Sequence, residues 1–163
     1  MKTFIASVIL TGLISTSLAQ SNSFTTFREK FAGEDDVHHF SINGFFARTI
    51  LRIATEDEVN VNEAVKEIKN IRLVTVPKAA FEKQKVTVEG FRRELKKDAF
   101  EELARAKEHG ENITLYIQST LKHDNRYMVL IDEPYVVTLV EFRGNVDPDI
   151  LLKNGPLSFN KPQ

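Results

Sequence analysis

Six consecutive residues, Glu34-Asp35-Asp36-Val37-His38-His39, gather three carboxylates and two imidazoles, the donor types that hold zinc or another divalent ion. On a strand, however, successive side chains point to opposite faces, so His38 and His39 cannot chelate one ion together. A metal site here would need one histidine, Asp35 or Asp36, and a remote third ligand. The plainer reading is a solvated acidic turn leading into a strand. Glu101-Glu102 and Asp132-Glu133 pair carboxylates in sequence. General acid/base work requires two such groups across a cleft in unlike environments, and adjacency does not supply that geometry. No Gly-x-Ser-x-Gly elbow and no glycine-rich phosphate loop is present. Arg92, Arg93, Lys96 and Lys97 would form a basic patch on the outer side of a helix, which is the ordinary place for such charges. Asn112-Ile113-Thr114 matches the short acceptor pattern for N-glycosylation, a pattern too common to carry weight. The sequence therefore assigns no catalytic, cofactor-binding or metal-ligating residue.

The chain that must position these groups has 163 residues, 42% of them hydrophobic and 28% charged, which is enough apolar material for one domain with a real core. A formal net charge of −1 offers no broad attraction for nucleic acid or an anionic membrane. Cysteine is absent, which rules out disulfides, thiolate metal sites, thiol nucleophiles and a lipid attached through cysteine.

Residues 1–19 read as a secretory leader. Lys2 is the basic start, residues 4–18 the apolar stretch, and Ser17-Leu18-Ala19 the small-x-small cleavage site. Residues 20–163 are then expected to form a single exported domain, periplasmic or secreted. No later segment is long and apolar enough for a transmembrane helix.

Hydrophobic spacing outlines the elements. Ser23 would cap a helix in which Phe24, Phe27 and Phe31 share a face, with Gly33 stopping it. Residues 37–42 read as a strand broken by Asn43-Gly44. Two helices follow, carrying Phe46, Ile50, Ile53 and Ala54, then Val61, Val65 and Ile68. Residues 71–76 form a strand stopped by Pro77. Strands joined by helices point to a parallel βαβ pair with a right-handed crossover. Residues 78–86 lack a pattern and read as loop, and residues 87–97 as a helix burying Val88, Phe91 and Leu95. Residues 99–107 fit either a helix, which Phe100, Leu103 and Ala106 favour, or a strand.

The most regular stretch is residues 113–142, a β-meander of three apolar runs separated by turn-forming residues around 122–125 and Pro134. Ile113, Leu115 and Ile117 would face a core, with Thr114, Tyr116 and Gln118 towards water. In the third run Val136, Thr138, Val140 and Phe142 share one face, and Tyr135, Val137 and Leu139 the other. Met128 and Leu130 likewise oppose Tyr127, Val129 and Ile131. Strands that are apolar on both sides need two covers. The Phe24/Phe27/Phe31 helix, or a short helix opened by Asp147-Pro148, would supply one from within the chain. A protein partner or a homodimer docked on an apolar sheet face would be the alternative. No internal repeat or low-complexity segment is present.

The order of these features resembles a known family, the bacterial envelope proteins grouped as domain of unknown function 4252. The resemblance is carried by Phe27 and Phe31, Val37-His38-His39-Phe40-Ser41-Ile42, and Ile68-Lys69-Asn70-Ile71-Arg72-Leu73. It continues through Phe100-Glu101-Glu102-Leu103, Asn112-Ile113-Thr114-Leu115-Tyr116-Ile117 and Phe142-Arg143-Gly144-Asn145-Val146-Asp147. It implies an exported bacterial protein without assigned activity or family catalytic residues, and it tips residues 99–107 towards a strand. This chain carries His109-Gly110 where similar sequences have a glycine pair.

The expected fold class is α+β: a mixed, mainly antiparallel sheet containing the C-terminal meander at about 113–142, with helices packed on it. The expected function is a non-enzymatic binding, accessory or sensor module of the cell envelope. The rival is a small exported enzyme, hydrolytic or metal-assisted, with a cleft near His38 or Glu101.

Overall fold

The computed structural model describes residues 23–43, 67–108, 110–120, 124–146 and 148. The chain order is α1 (Ser23–Lys30), β1 (His38–Asn43), β2 (Ile68–Pro77), α2 (Lys78–Lys83), α3 (Val88–Lys97), β3 (Glu101–Glu108), β4 (Glu111–Gln118), β5 (Asn125–Asp132) and β6 (Val136–Gly144). The strands form one sheet in the order β1-β2-β6-β5-β4-β3, and every neighbouring pair is antiparallel. The fold is thus α+β, with the meander extended at its front by β3 and at its back by the β2–β1 pair.

The predicted parallel βαβ pair is not formed, because β1 and β2 run antiparallel with Asn43 opposite Asn70. A parallel partner requires the connection to carry the chain to the far end of the sheet. Here the chain leaves β1 and enters β2 at the same end. Ile68, expected on a helix, opens β2. The expected helices before it, the expected signal peptide, and most of the expected helix after Asp147 lie outside the described residues.

All three described helices pack on one face of the sheet. Phe24, Phe27 and Phe31 of the α1 segment, Ala80 and Phe81 of α2, and Phe91 and Leu95 of α3 bury against Val74, Val76, Val137, Leu139, Met128, Leu130 and Tyr116. The rings interlock at centroid distances of 4.5 Å for Phe27–Phe91, 4.7 Å for Phe31–Phe81 and 5.1 Å for Phe27–Phe31. Burying each such ring contributes about 2–3 kcal/mol, so this face is where the fold draws most of its stability. It is also the cover that Met128, Leu130, Val137 and Leu139 were expected to need. Thr114 and Tyr116 are buried here too, so β4 is dry on both faces, contrary to the half-wet pattern expected from its alternation.

Residues 78–83 form α2 instead of the predicted loop. Pro77 ends the β2 ladder and stands before the helix with φ −60°, a geometry proline holds at no cost. The amide of Lys78 donates to the Tyr135 carbonyl at 2.9 Å, and its ammonium pairs with Asp132 at 2.8 Å, tying the helix start to the β5–β6 turn. At the other end Val86 N–H donates to Phe81 O and Lys85 N–H to Glu82 O, the paired bonds of a left-handed helix stop, with Lys85 at φ 52°. α3 begins at Thr87, whose hydroxyl accepts from the Gly90 amide at 2.9 Å. It ends in the same way, with Phe100 N–H on Leu95 O and Ala99 at φ 60°. That reversal turns Phe100 into the core and starts β3, settling residues 101–108 as a strand.

Candidate binding surface

No described helix packs on the opposite face of the sheet. Its side chains form cross-strand rows fixed by the register. One row runs Phe40, Leu73, Val140, Val129, Leu115, Ala104 from edge to edge, apolar on every strand. A second runs Ile42, Ile71, Phe142, Tyr127, Ile117. The second row is partly covered: Tyr127 stacks on Phe142 at 4.9 Å and donates its hydroxyl proton to the Val146 carbonyl as the chain folds back after β6. Gly144 permits that return, since a Cβ there would run into the Glu67 backbone carbonyl. The first row stays wetter. Leu73, Val129 and Val140 are half-buried, and Phe40 is 58% exposed.

The two sheet edges differ. β3 carries Glu101, Glu102, Arg105, Lys107 and Glu108 and breaks register between Glu102 and Ala104. Charge and a bulge are the usual means by which an edge is kept from pairing with another chain. β1, His38-His39-Phe40-Ser41-Ile42-Asn43, has no Asp, Glu, Lys or Arg, pairs with β2 without a register break, and is exposed along nearly its whole length. Among the described residues it is an edge with neither formal charge nor bulge, and an aromatic side chain stands on it.

A charged cluster lies at one end of the helix-covered face. Glu141 is fully buried and accepts from Arg72, whose Nε lies 2.6 Å from Oε2 and whose guanidinium also stacks 4.4 Å above the Phe24 ring. The adjoining cross-strand row is polar throughout: Gln118, Arg126, Arg143, Asn70, Asn43. Arg126 and Arg143 stand directly opposite each other, an arrangement that repels. Burial first, then the facing Arg143, pushes the Arg126 guanidinium below its usual pKa. The sequence reading missed this cluster. Its signal is that Glu141 and Arg143 continue the same alternate positions as the core residues Val137 and Leu139.

The residues singled out from sequence are scattered. His38 and His39 face opposite sides of edge strand β1. Glu34 turns away from them to bond Lys83 at 2.7 Å and Gln84 at 2.5 Å, and the Lys83 bond holds its carboxyl below the usual range. Among the described residues no group of three His, Asp or Glu side chains gathers where a metal ion would sit. Glu101 and Glu102 point to opposite faces of β3, and Glu102 forms a fork with Arg105 at 3.1 and 2.8 Å that raises the guanidinium's pKa. Asp132 is held by Lys78. The expected basic patch loses Arg92, which is buried and donates to Thr114 at 3.2 Å, while Arg93, Lys96 and Lys97 stay exposed.

A cavity of about 430 Å³ lies between α1 and α3, with Phe27, Phe91, Lys30 and Arg93 among its walls. Its two carboxylates are engaged elsewhere: Asp98 accepts from the Ser23 amide at 2.9 Å and from the Ser23 hydroxyl, and Glu94 pairs with Lys97 at 2.8 Å.

These features define an α+β domain built on a six-stranded antiparallel sheet, armoured by helices on one face and carrying an uncharged edge beside an apolar row on the other. Residues 30–153 match the family model described as Domain of unknown function (DUF4252), and the chain belongs to that family. No curated protein and no solved structure matches it.

Proposed function

We propose that the protein is exported to the bacterial cell envelope and acts there by binding another protein, not by catalysis. The observation that carries this reading is Phe40, more than half exposed on an uncharged edge strand and heading an apolar row that crosses the whole sheet. A partner strand laid along β1 would complete the edge amides and carbonyls and extend the apolar row by one side chain. The leader-like residues 1–19 support export. No described helix is long and apolar enough to cross a membrane. The catalytic rival would place a cleft near His38 or near Glu101, which stand on opposite edge strands of the sheet.

The test is purification of the tagged protein from its native envelope, with Phe40→Arg and Tyr135→Arg compared against the unaltered chain. Both side chains are exposed, so neither change disturbs the core. A partner that is lost with Phe40→Arg and kept with Tyr135→Arg is the expected outcome. Retention of the same partner by both variants would remove β1 as the docking strand.

A further inference from the structure

Among the described residues, the polar row at the end of the helix-covered face carries more positive charge than the carboxylates beside it neutralise. Arg72, Arg126 and Arg143 converge on one end of β2, β5 and β6, and of the two described carboxylates that act on them Glu141 is spent on Arg72 through a single oxygen, Oε2, while Asp124 pairs with Lys69 at 3.1 Å. Arg126 is only 7% exposed, and its hydrogen bond to a neighbouring side chain is a long one, 3.5 Å to Gln118 Oε1. A buried guanidinium left with so little compensation is costly. Two of them placed face to face across an antiparallel pair cost more.

The atoms left unsatisfied are informative because they are of both kinds. Arg143 Nε is a buried donor without an acceptor. Asn70 Oδ1 and Glu141 Oε1 are buried acceptors without a donor. All three side chains lie on the same face, Asn70 directly opposite Arg143 and Glu141 two residues along β6 from it. A ligand that satisfies this set must accept from arginine and also donate a proton to a carboxylate or amide oxygen. An oxyanion that keeps a proton at neutral pH does both, whereas a fully ionised one does not. The half-buried Arg143 and Asn70 offer the approach from solvent, and the depth of Arg126 excludes a membrane surface or a nucleic-acid backbone, whose phosphates cannot enter a sheet–helix seam.

We propose that Arg126, Arg143 and Asn70, with Glu141 as proton acceptor, form a binding site for a small protonated oxyanion of phosphate chemistry, either free phosphate or the phosphate group of a small monoester. This site is independent of the β1 docking surface.

The experiment is calorimetric titration of the protein as purified from its native cells with inorganic phosphate, with sulfate, and with glycerol phosphate as a monoester, at constant ionic strength set by chloride. Saturable phosphate or monoester binding is expected, with sulfate at least about tenfold weaker because it has no proton to give Glu141. The tighter of the first two arms tells free phosphate from a monoester. Arg143→Gln is expected to weaken binding about 10- to 100-fold while leaving the melting temperature equal or higher, since it removes one of two facing like charges. Lys97→Gln, on the outer side of α3, is expected to leave affinity unchanged. Absence of saturable binding in both phosphate arms, equal binding of sulfate, or undiminished affinity in Arg143→Gln would each overturn the proposal.

Discussion

Ala99 and Lys85 hold the left-handed conformation at the ends of α3 and α2 with φ of 60° and 52°, a role glycine fills without the clash between Cβ and the carbonyl that follows. Both side chains are exposed, so little packing is lost by removing them. Ala99→Gly is expected to stabilise the protein by about 0.5–1 kcal/mol, the steric relief less the extra entropy of glycine in the unfolded chain, and to raise Tm by about 1–4 °C. Gly144 is the reverse case. Gly144→Ala drives a methyl group into the Glu67 carbonyl and is expected to cost about 3 kcal/mol, measured by denaturant unfolding. The Glu34–Lys83 pair gives a pH signature. Glu34's folded pKa lies below its ordinary value of about 4.5, so its contribution is present above that pH and is lost as pH falls through the depressed folded value. Lys83→Met is therefore expected to flatten the acid limb of the stability profile below about pH 4.5, leaving stability near pH 7 little changed because the pair is exposed.

At the level of elements, the two apolar faces of the sheet separate by their response to mutation. Phe27→Ala opens a hole where Phe31, Phe81 and Phe91 meet and is expected to cost about 3–5 kcal/mol. Phe40→Ser is expected to change stability by no more than about 0.5 kcal/mol, because that ring buries little within the chain. The same division explains what could be read in advance. Alternation located β4, β5 and β6 and showed that β5 and β6 need cover on both sides, and the Phe24/Phe27/Phe31 spacing supplied one cover. Leu139, on one of the two apolar faces of its strand, is fully buried beneath the helices, and the wetter row is the one through Val140 and Phe40. Strand direction was not legible, because an apolar strand, a helical stretch and another apolar strand read alike whether the chain returns parallel or antiparallel. α2 was too short to show a period, being fixed by Pro77 and by contacts with the distant residues Asp132 and Tyr135. The wet reading of Thr114 and Tyr116 failed because α3 places Arg92 over them, a tertiary contact between residues 22 apart.

For the molecule as a whole, three of the carboxylates that the sequence singled out act as fasteners. Glu34 ties the turn before β1 to α2, Asp132 ties the β5–β6 turn to the same helix, and Glu102 braces Arg105 on the β3 edge, while Asp98, which the sequence did not mark, anchors the start of α1. Among the described residues, the large apolar side chain that stands exposed on a strand is Phe40 of β1. A binding role needs β1 to stay accessible and to be met by another chain in the cell. The most direct measurement is a photo-crosslinking residue placed at position 40 of the full chain in its native cells, with position 105 on the guarded β3 edge as the reference. The account requires a discrete covalent adduct from position 40 and none from position 105, the mass of the adduct telling a second copy from another protein. No adduct from position 40, or the same adduct from both positions, would contradict it.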